Sequence, residues 1–418
     1  MNEIKTHGVA WDLSLVLALA LVWGYVGLNR TGIGFLLPPI LDDLHLEFWQ
    51  ASLLISGTSA THALAAWLGG ALSDRLGRKP VLLIGLYVST LFSTLFGAGW
   101  NFLSLFVTRD LLGLGEGVGF SVGQSVIADE TSPDHRGLYQ GIFNAGYTVV
   151  GLGIGAFVMT HLASQFGWRW AYPVVALVGV AAITTVAVLL PRRQLPPSGA
   201  RLSFTALFRD VRAVVRVPGE LAVLAATTLN LCWVGLGAGF SALFLTHVRG
   251  FSLNDAGSIL AISGVVGFSG AMLVPVVSDV IGRKLIVFTC AAVGGIAFLI
   301  FALGDLSTPG LVLVLTIANF CIGGLSPLVG ATIPSELVPE RRGSTIGFNV
   351  FVAAIVGTFV MPFVGGLAAD RLGLVVPLIL AALAVLLIAP VSVGVPETAP
   401  RLQARRALTL AASPEVLA

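Results

Sequence analysis

Five titratable side chains stand inside long apolar runs: Arg30, His62, Arg109, Asp110 and Glu116. A charge held in a bilayer costs about 2.5–3.5 kcal/mol on insertion scales, so such residues usually face a polar space and serve function. Arg30 offers a planar, permanently charged fork that suits a carboxylate. It can bind an anionic substrate, or pair with Glu116 or Asp110 as part of the packing. Arg109 and Glu116 are seven residues apart, nearly one helix face and about 10 Å along the axis. That is too far for direct pairing, so Glu116 is free to meet Arg30 on a facing helix. Its protonation would then depend on whether Arg30 is free or occupied, which makes Glu116 the leading proton carrier. Asp110, turned about 100° from Arg109, is the fallback. His62 can bind substrate, relay a proton or simply pack. Asn29, Asn230, Trp233, Asn319 and Asn349 are polar or amphipathic residues in apolar runs. Arg109, Asn29, Asn230, Trp233 and Asn349 join Arg30 and His62 as candidate substrate contacts. Charge chemistry falls in the first half of the chain, leaving shape and specificity to the second.

Other patterns carry no chemistry. Cys232, Cys290 and Cys321 lie far apart in apolar runs without a ligand at metal spacing, so neither a metal site nor a disulfide framework is expected. No cofactor is implied, and no nucleophile triad points to catalysis. The run Gly113-x-Gly115-x-Gly117-x-Gly119 has no strand before it, so it does not cradle phosphate. Gly115, Gly119 and Gly123 suit close helix packing instead. The triplet Asn29-Arg30-Thr31 falls inside a span, out of reach of glycosylation.

These residues need membrane helices to hold them. Of 418 residues, 56% are hydrophobic and 11% charged, against roughly 25% charged in a soluble domain. Mean hydropathy is +0.94. A spanning helix takes about 20 apolar residues, and twelve runs qualify. Six lie near 13–40, 49–73, 80–98, 102–128, 138–163 and 169–190. Six more lie near 219–247, 254–278, 284–304, 309–333, 343–367 and 374–395. The first run is too long for a signal peptide. The expected organisation is a six-helix half over 1–190, a basic linker over 191–218, a second six-helix half over 219–395 and a tail over 396–418. With both ends in the cytoplasm, 18 of the 23 basic residues fall on inside segments and three, Arg169, Arg249 and Arg371, outside. That bias supports the orientation and leaves no basic face for nucleic acid. Ser73-Asp74-Arg75-Leu76-Gly77-Arg78-Lys79 recurs as Ser278-Asp279-Val280-Ile281-Gly282-Arg283-Lys284, and Pro133, Arg136 and Gly137 recur as Pro339, Arg342 and Gly343. Both offsets indicate a duplicated unit related in parallel.

The string Gly70-Ala71-Leu72-Ser73-Asp74-Arg75-Leu76-Gly77-Arg78-Lys79 resembles the loop 2–3 motif of the major facilitator superfamily of secondary transporters. The copy ending at Lys284, Arg109-x-x-x-Gly113, Gly167-Trp168-Arg169-Trp170 and Pro396-Glu397-Thr398 resemble further features of that superfamily. Asn29-Arg30 with Pro38-Pro39-Ile40 and Asp43-Leu44, and Arg109 with Leu112-Gly113-Leu114-Gly115-Glu116, resemble its anion:cation symporter group. That group usually has Asp where Asn29 stands, and often Tyr where His62 stands. The resemblance implies an all-α membrane protein with the major facilitator fold, its first and fourth helices facing a central cavity. It implies a monomer in the cell membrane that moves a small organic anion, such as a carboxylate or sugar acid, with protons by alternating access. The runner-up is a proton-driven drug or metabolite efflux antiporter, which a cation at Arg30 disfavours. Asp74, Gly77, Arg78, Lys79, Asp279, Gly282 and Arg283 are the expected conformational switch. Gly365-Gly366-Leu367-Ala368-Ala369-Asp370-Arg371-Leu372-Gly373 imitates the motif, but topology puts it outside, so it is not read as a third copy.

Overall fold

The computed structural model describes residues 8–132, 136–191, 216–337, 342–399 and 402. Most of the 191–218 linker and of the 396–418 tail lies outside the described residues, as do Pro133 and Pro339 of the shorter repeat. All described secondary structure is helical: α1 (Val9–Leu44), α2 (Phe48–Leu76), α3 (Arg78–Phe96), α4 (Phe102–Glu130), α5 (Arg136–Gly146), α6 (Gly155–Phe166), α7 (Trp168–Leu189), α8 (Glu220–Leu243), α9 (Leu253–Ile281), α10 (Arg283–Leu303), α11 (Thr308–Pro327), α12 (Ile333–Leu337), α13 (Arg342–Ala354), α14 (Met361–Leu372) and α15 (Val375–Val391). Lipid offers no partner to a backbone N–H or C=O, so a helix, which pairs both internally, is the form such runs take.

Among the described residues, ten helical stretches are long and apolar enough to cross a membrane. The helices α2 and α4 have the length, 29 residues each, and carry His62, Arg109, Asp110 and Glu116. Together they give the twelve expected spans, with ends shifted by a few residues. Wide π-helical turns at Tyr147–Ile154 and Ile355–Val360 join α5 to α6 and α13 to α14. Two more, Phe244–Val248 and Leu328–Thr332, follow α8 and α11.

Contacts gather the chain into two units. One holds Met1–Leu202, Ala238–Ala261 and Pro362–Leu374; the other holds Ser203–Gly237, Ile262–Met361 and Val375–Ala418. In the first, α4 is clamped between α2 and α3 by glycines. A Cβ on Gly113 would meet Thr58 and Thr61, one on Gly117 the carbonyl of His62, and one on Gly115 the backbone of Gly85 and Ser89. Close backbone approach of this kind is how helices associate where lipid supplies no hydrophobic drive.

Candidate functional site

Trp23 and Arg30 lie on α1, Ser59 and His62 on α2, and Arg109, Asp110, Glu116 and Phe120 on α4. The two arginines have different surroundings. Arg109 is 1% exposed. Its guanidinium donates to the backbone carbonyls of Asn29 at 2.9 Å, Leu54 at 3.4 Å and Arg30 at 3.5 Å. The ring of Phe96 lies 5.7 Å from its central carbon. Arg109 therefore fastens α1 and α2 to α4. Arg30 is half-buried, and its guanidinium donates to Ser59 Oγ at 3.2 Å.

Asn29 is buried and occupied: its amide donates to the Tyr25 carbonyl at 3.2 Å, and its oxygen accepts from Ser93 at 2.6 Å. Glu116 is 0% exposed, and neither carboxyl oxygen has a hydrogen-bond partner among the described residues. It lies within the electrostatic reach of Arg30 and Arg109, but no ion pair joins it to Arg30 among the described residues. Asp110 faces α2 at Gly57, where a Cβ would meet its Oδ1 at 2.6 Å; that oxygen is buried without a partner. His62 is half-buried, with Nδ1 enclosed and unpartnered.

Sequence reasoning missed a set of rings beside these charges. The indole of Trp23 lies 6.3 Å from His62, 5.0 Å from Phe120, 5.5 Å from Phe143 and 5.3 Å from Tyr147, centroid to centroid. His62 lies 6.2 Å from Phe120. Helices α1, α2, α4 and α5 and the π-helical turn that follows α5 contribute to this wall.

The second unit brings its polar residues together in pairs. Asn230 accepts from Ser326 at 2.6 Å, and its amide nitrogen is left without a partner. The indole N–H of Trp233 is also buried and unpartnered, and its ring meets Phe298 edge-on at 5.6 Å. Asn349 donates to the buried carboxyl of Glu220 at 2.7 Å. Glu220, at the start of α8, was not among the sequence candidates. Asn319 packs its Cβ and backbone against Gly267.

The repeated motif is not a loop. A single residue, Gly77, separates α2 from α3, and Gly282 separates α9 from α10, with φ of 93° and 125°. Arg78 donates to Ser73 at 2.7 Å and pairs with Asp129 at 3.0 Å. Arg283 donates to Ser278 at 2.5 Å and pairs with Glu336 at 2.8 Å and Asp279 at 2.6 Å. Lys79 donates to the Leu190 carbonyl and Lys284 to the Val393 carbonyl, each at 2.5 Å. Asp74 stands on the last turn of α2, its side chain outside those described. Glu397 of the Pro-Glu-Thr string accepts from the backbone N–H of Arg283 at 2.9 Å, and Thr398 donates to Glu336 at 2.6 Å. The signal that could have found Asp129 and Glu336 was their spacing, close to that of the motif itself.

The imitation of that motif has its own partner. The carboxylate of Asp370 accepts from the backbone N–H of Phe48 at 2.9 Å and of Trp49 at 3.0 Å, capping α2. Gly366 seats on the same turn, where a Cβ would meet Ser52, Phe48 and Trp49.

A family model described as Major Facilitator Superfamily matches residues 19–359. A hexuronate transporter of Bacillus subtilis (strain 168) is 25% identical over 382 residues, covering 86% of this chain and 88% of the relative. A gallate transporter of Pseudomonas putida is 26% identical over 398 residues, covering 88% and 87%. The crystal structure of a bacterial homologue of the human lysosomal transporter Spinster has a TM-score of 0.75 at 17% identity, covering 92% of this chain and 97% of that one.

Proposed function

The chain belongs to the major facilitator superfamily, and on that premise we propose that it carries a small organic anion across the membrane together with a proton. It is a multi-pass membrane transporter and not an enzyme. The observation that carries the reading is Glu116, wholly buried with both oxygens unpartnered among the described residues, within electrostatic reach of an arginine whose side-chain bond there is to Ser59. An ionised carboxylate without a partner is costly in such surroundings. Pairing with Arg30 and taking a proton are the two ways of meeting that cost. An anion that occupies Arg30 removes the first, so substrate and proton favour each other, and the linkage is reciprocal.

The relatives support the anionic class, since the curated names include hexuronate and gallate transporters. The fuller proposal is two six-helix halves over 1–190 and 219–395, both termini cytoplasmic in the cell membrane, acting as a monomer. The pairs around Arg78 and Arg283 would hold the inner ends of each half as access alternates. Arg109 and Asn29 act in it as braces that hold Arg30, and Asp110 is the reserve proton carrier.

Proteoliposome transport tests the coupling. Glu116→Gln should still bind the anion and exchange it across the membrane, yet fail to accumulate it when a pH step is applied. Arg30→Ala should lose binding altogether. Undiminished proton-driven accumulation by Glu116→Gln would overturn the role of Glu116.

A further inference from the structure

The charges and the rings form two adjoining layers. On α1, Trp23 and Arg30 are seven residues apart, two turns and nearly one face. On α2, Ser59 and His62 are three apart, and on α4, Glu116 and Phe120 are four apart, spacings that also share a face. Successive helices run in opposite directions. The order along α1, ring then charge, and along α4, charge then ring, therefore puts the rings at one level and the charges at the next. Contacts bear this out within each layer. Arg30 bonds Ser59 in the first. Trp23 meets His62, Phe120 and Tyr147 in the second. The two levels are separated by about 5–10 Å of helix rise, the reach of a carboxylate joined to a six-membered ring.

The rings are not all closed core. Trp23 and Phe143 are closed in, 6% and 1% exposed, while Phe120, His62 and Tyr147 in front of them are half-buried, as is Arg30. A guanidinium within a span as a rule faces a polar space rather than lipid, and the half-buried rings stand one level away from it on the same helix faces. A sugar acid entering there needs a donor or acceptor for each of its several hydroxyls, because a buried polar group left unpaired is costly. The ring layer offers the Tyr147 hydroxyl and the unpartnered Nδ1 of His62. A flat π-face, in contrast, finds edges and faces of three aromatic systems within stacking range.

Resting on the anion reading above, we infer that the cargo is an aromatic carboxylate. Its carboxylate sits on Arg30, its ring lies against Trp23, Phe120 and Tyr147, and a ring hydroxyl, where present, bonds His62 Nδ1. Hexuronates and other polyhydroxylated acids are poor ligands of this wall.

Competition and quenching measurements on the purified full chain test this. The probes are benzoate, 4-hydroxybenzoate, glucuronate and the tetraphenylphosphonium cation. Each is assayed for thermal stabilisation, for quenching of tryptophan fluorescence, and as a counterflow substrate in proteoliposomes. The expected result is that both aromatic acids stabilise the protein and exchange, with 4-hydroxybenzoate the tighter and glucuronate inert. Trp23→Leu should weaken the aromatic acids about tenfold and remove most of the quenching. Trp23→Phe, which keeps a ring, should retain binding and lose the quenching, so a folding defect is told apart from loss of the wall. His62→Phe should erase the preference for 4-hydroxybenzoate over benzoate. If glucuronate binds and the aromatic acids do not, the aromatic class falls while the anion reading stands. If the cation alone binds and exchanges, both fall.

Discussion

Arg30 and Arg109 are chemically identical, and their neighbours alone divide their work. Arg109 spends its donors on three backbone carbonyls of two helices. A lysine has the charge but not the planar fork. Arg109→Lys should therefore lower thermal stability by about 2–3 kcal/mol, the scale of lost hydrogen bonds from a charged group. Affinity measured on the folded fraction should fall only severalfold, as for a brace, and not be lost as in Arg30→Ala. Differential scanning in detergent with a parallel binding titration checks it, and a large rise in Kd at unaltered stability would return Arg109 to the substrate contacts. The sequence exposed the charged residues readily, because charge is rare in an apolar run. It did not distinguish a guanidinium held by backbone carbonyls from one held by a hydroxyl, since the carbonyls that bind Arg109 belong to residues of any type. The rings around Trp23 left no signal for the opposite reason. Phe and Trp in a span look alike whether they meet lipid, core or cargo.

Among the elements, the one-residue turns at Gly77 and Gly282 decide how neighbouring spans reverse. Both glycines have positive φ, and a Cβ on Gly282 would also press on the Glu397 carboxylate at 2.8 Å. Gly282→Ala should cost about 1–3 kcal/mol in backbone strain and loosen the cap that Glu397 places on α10. Amide exchange should speed up at Arg283 and Lys284 and stay unaltered at Arg78. The recurrence of the heptad was legible from its residues alone, and its bonds recur too: arginine to serine, arginine to a later carboxylate, lysine to a carbonyl at the end of a span. The surprise was the absence of a loop, because a motif with four charges reads as solvent-exposed chain, and nothing in its composition says that a single glycine suffices for the reversal. The Pro-Glu-Thr string was visible as a family feature, but its task as a helix cap depends on a fold that brings residue 397 back to residue 283.

Across the whole molecule, the twelve spans were legible because apolar length is a property of composition. The grouping of Pro362–Leu374 with α2 was not. Asp370 holds both leading N–H groups of α2, and Gly366 seats beneath it. Asp370→Ala should raise amide exchange about tenfold over residues 48–52, the worth of a lost cap at about 1–2 kcal/mol, with no change near Gly77. Equal exchange in variant and parent would mean that packing at Gly366 alone holds the turn. The glycine clamp on α4 has a different consequence. Its three crossings leave no slack for α2, α3 and α4 to slide past one another, so these helices travel as one plate. The carboxyl of Glu116 and the imidazole of His62 ride on that plate, fixed like marks on a ruler. A pair of spin labels on the exposed faces of α2 and α3, at Leu68 and Leu91, should give one narrow distance with cargo, without it, and at any external pH.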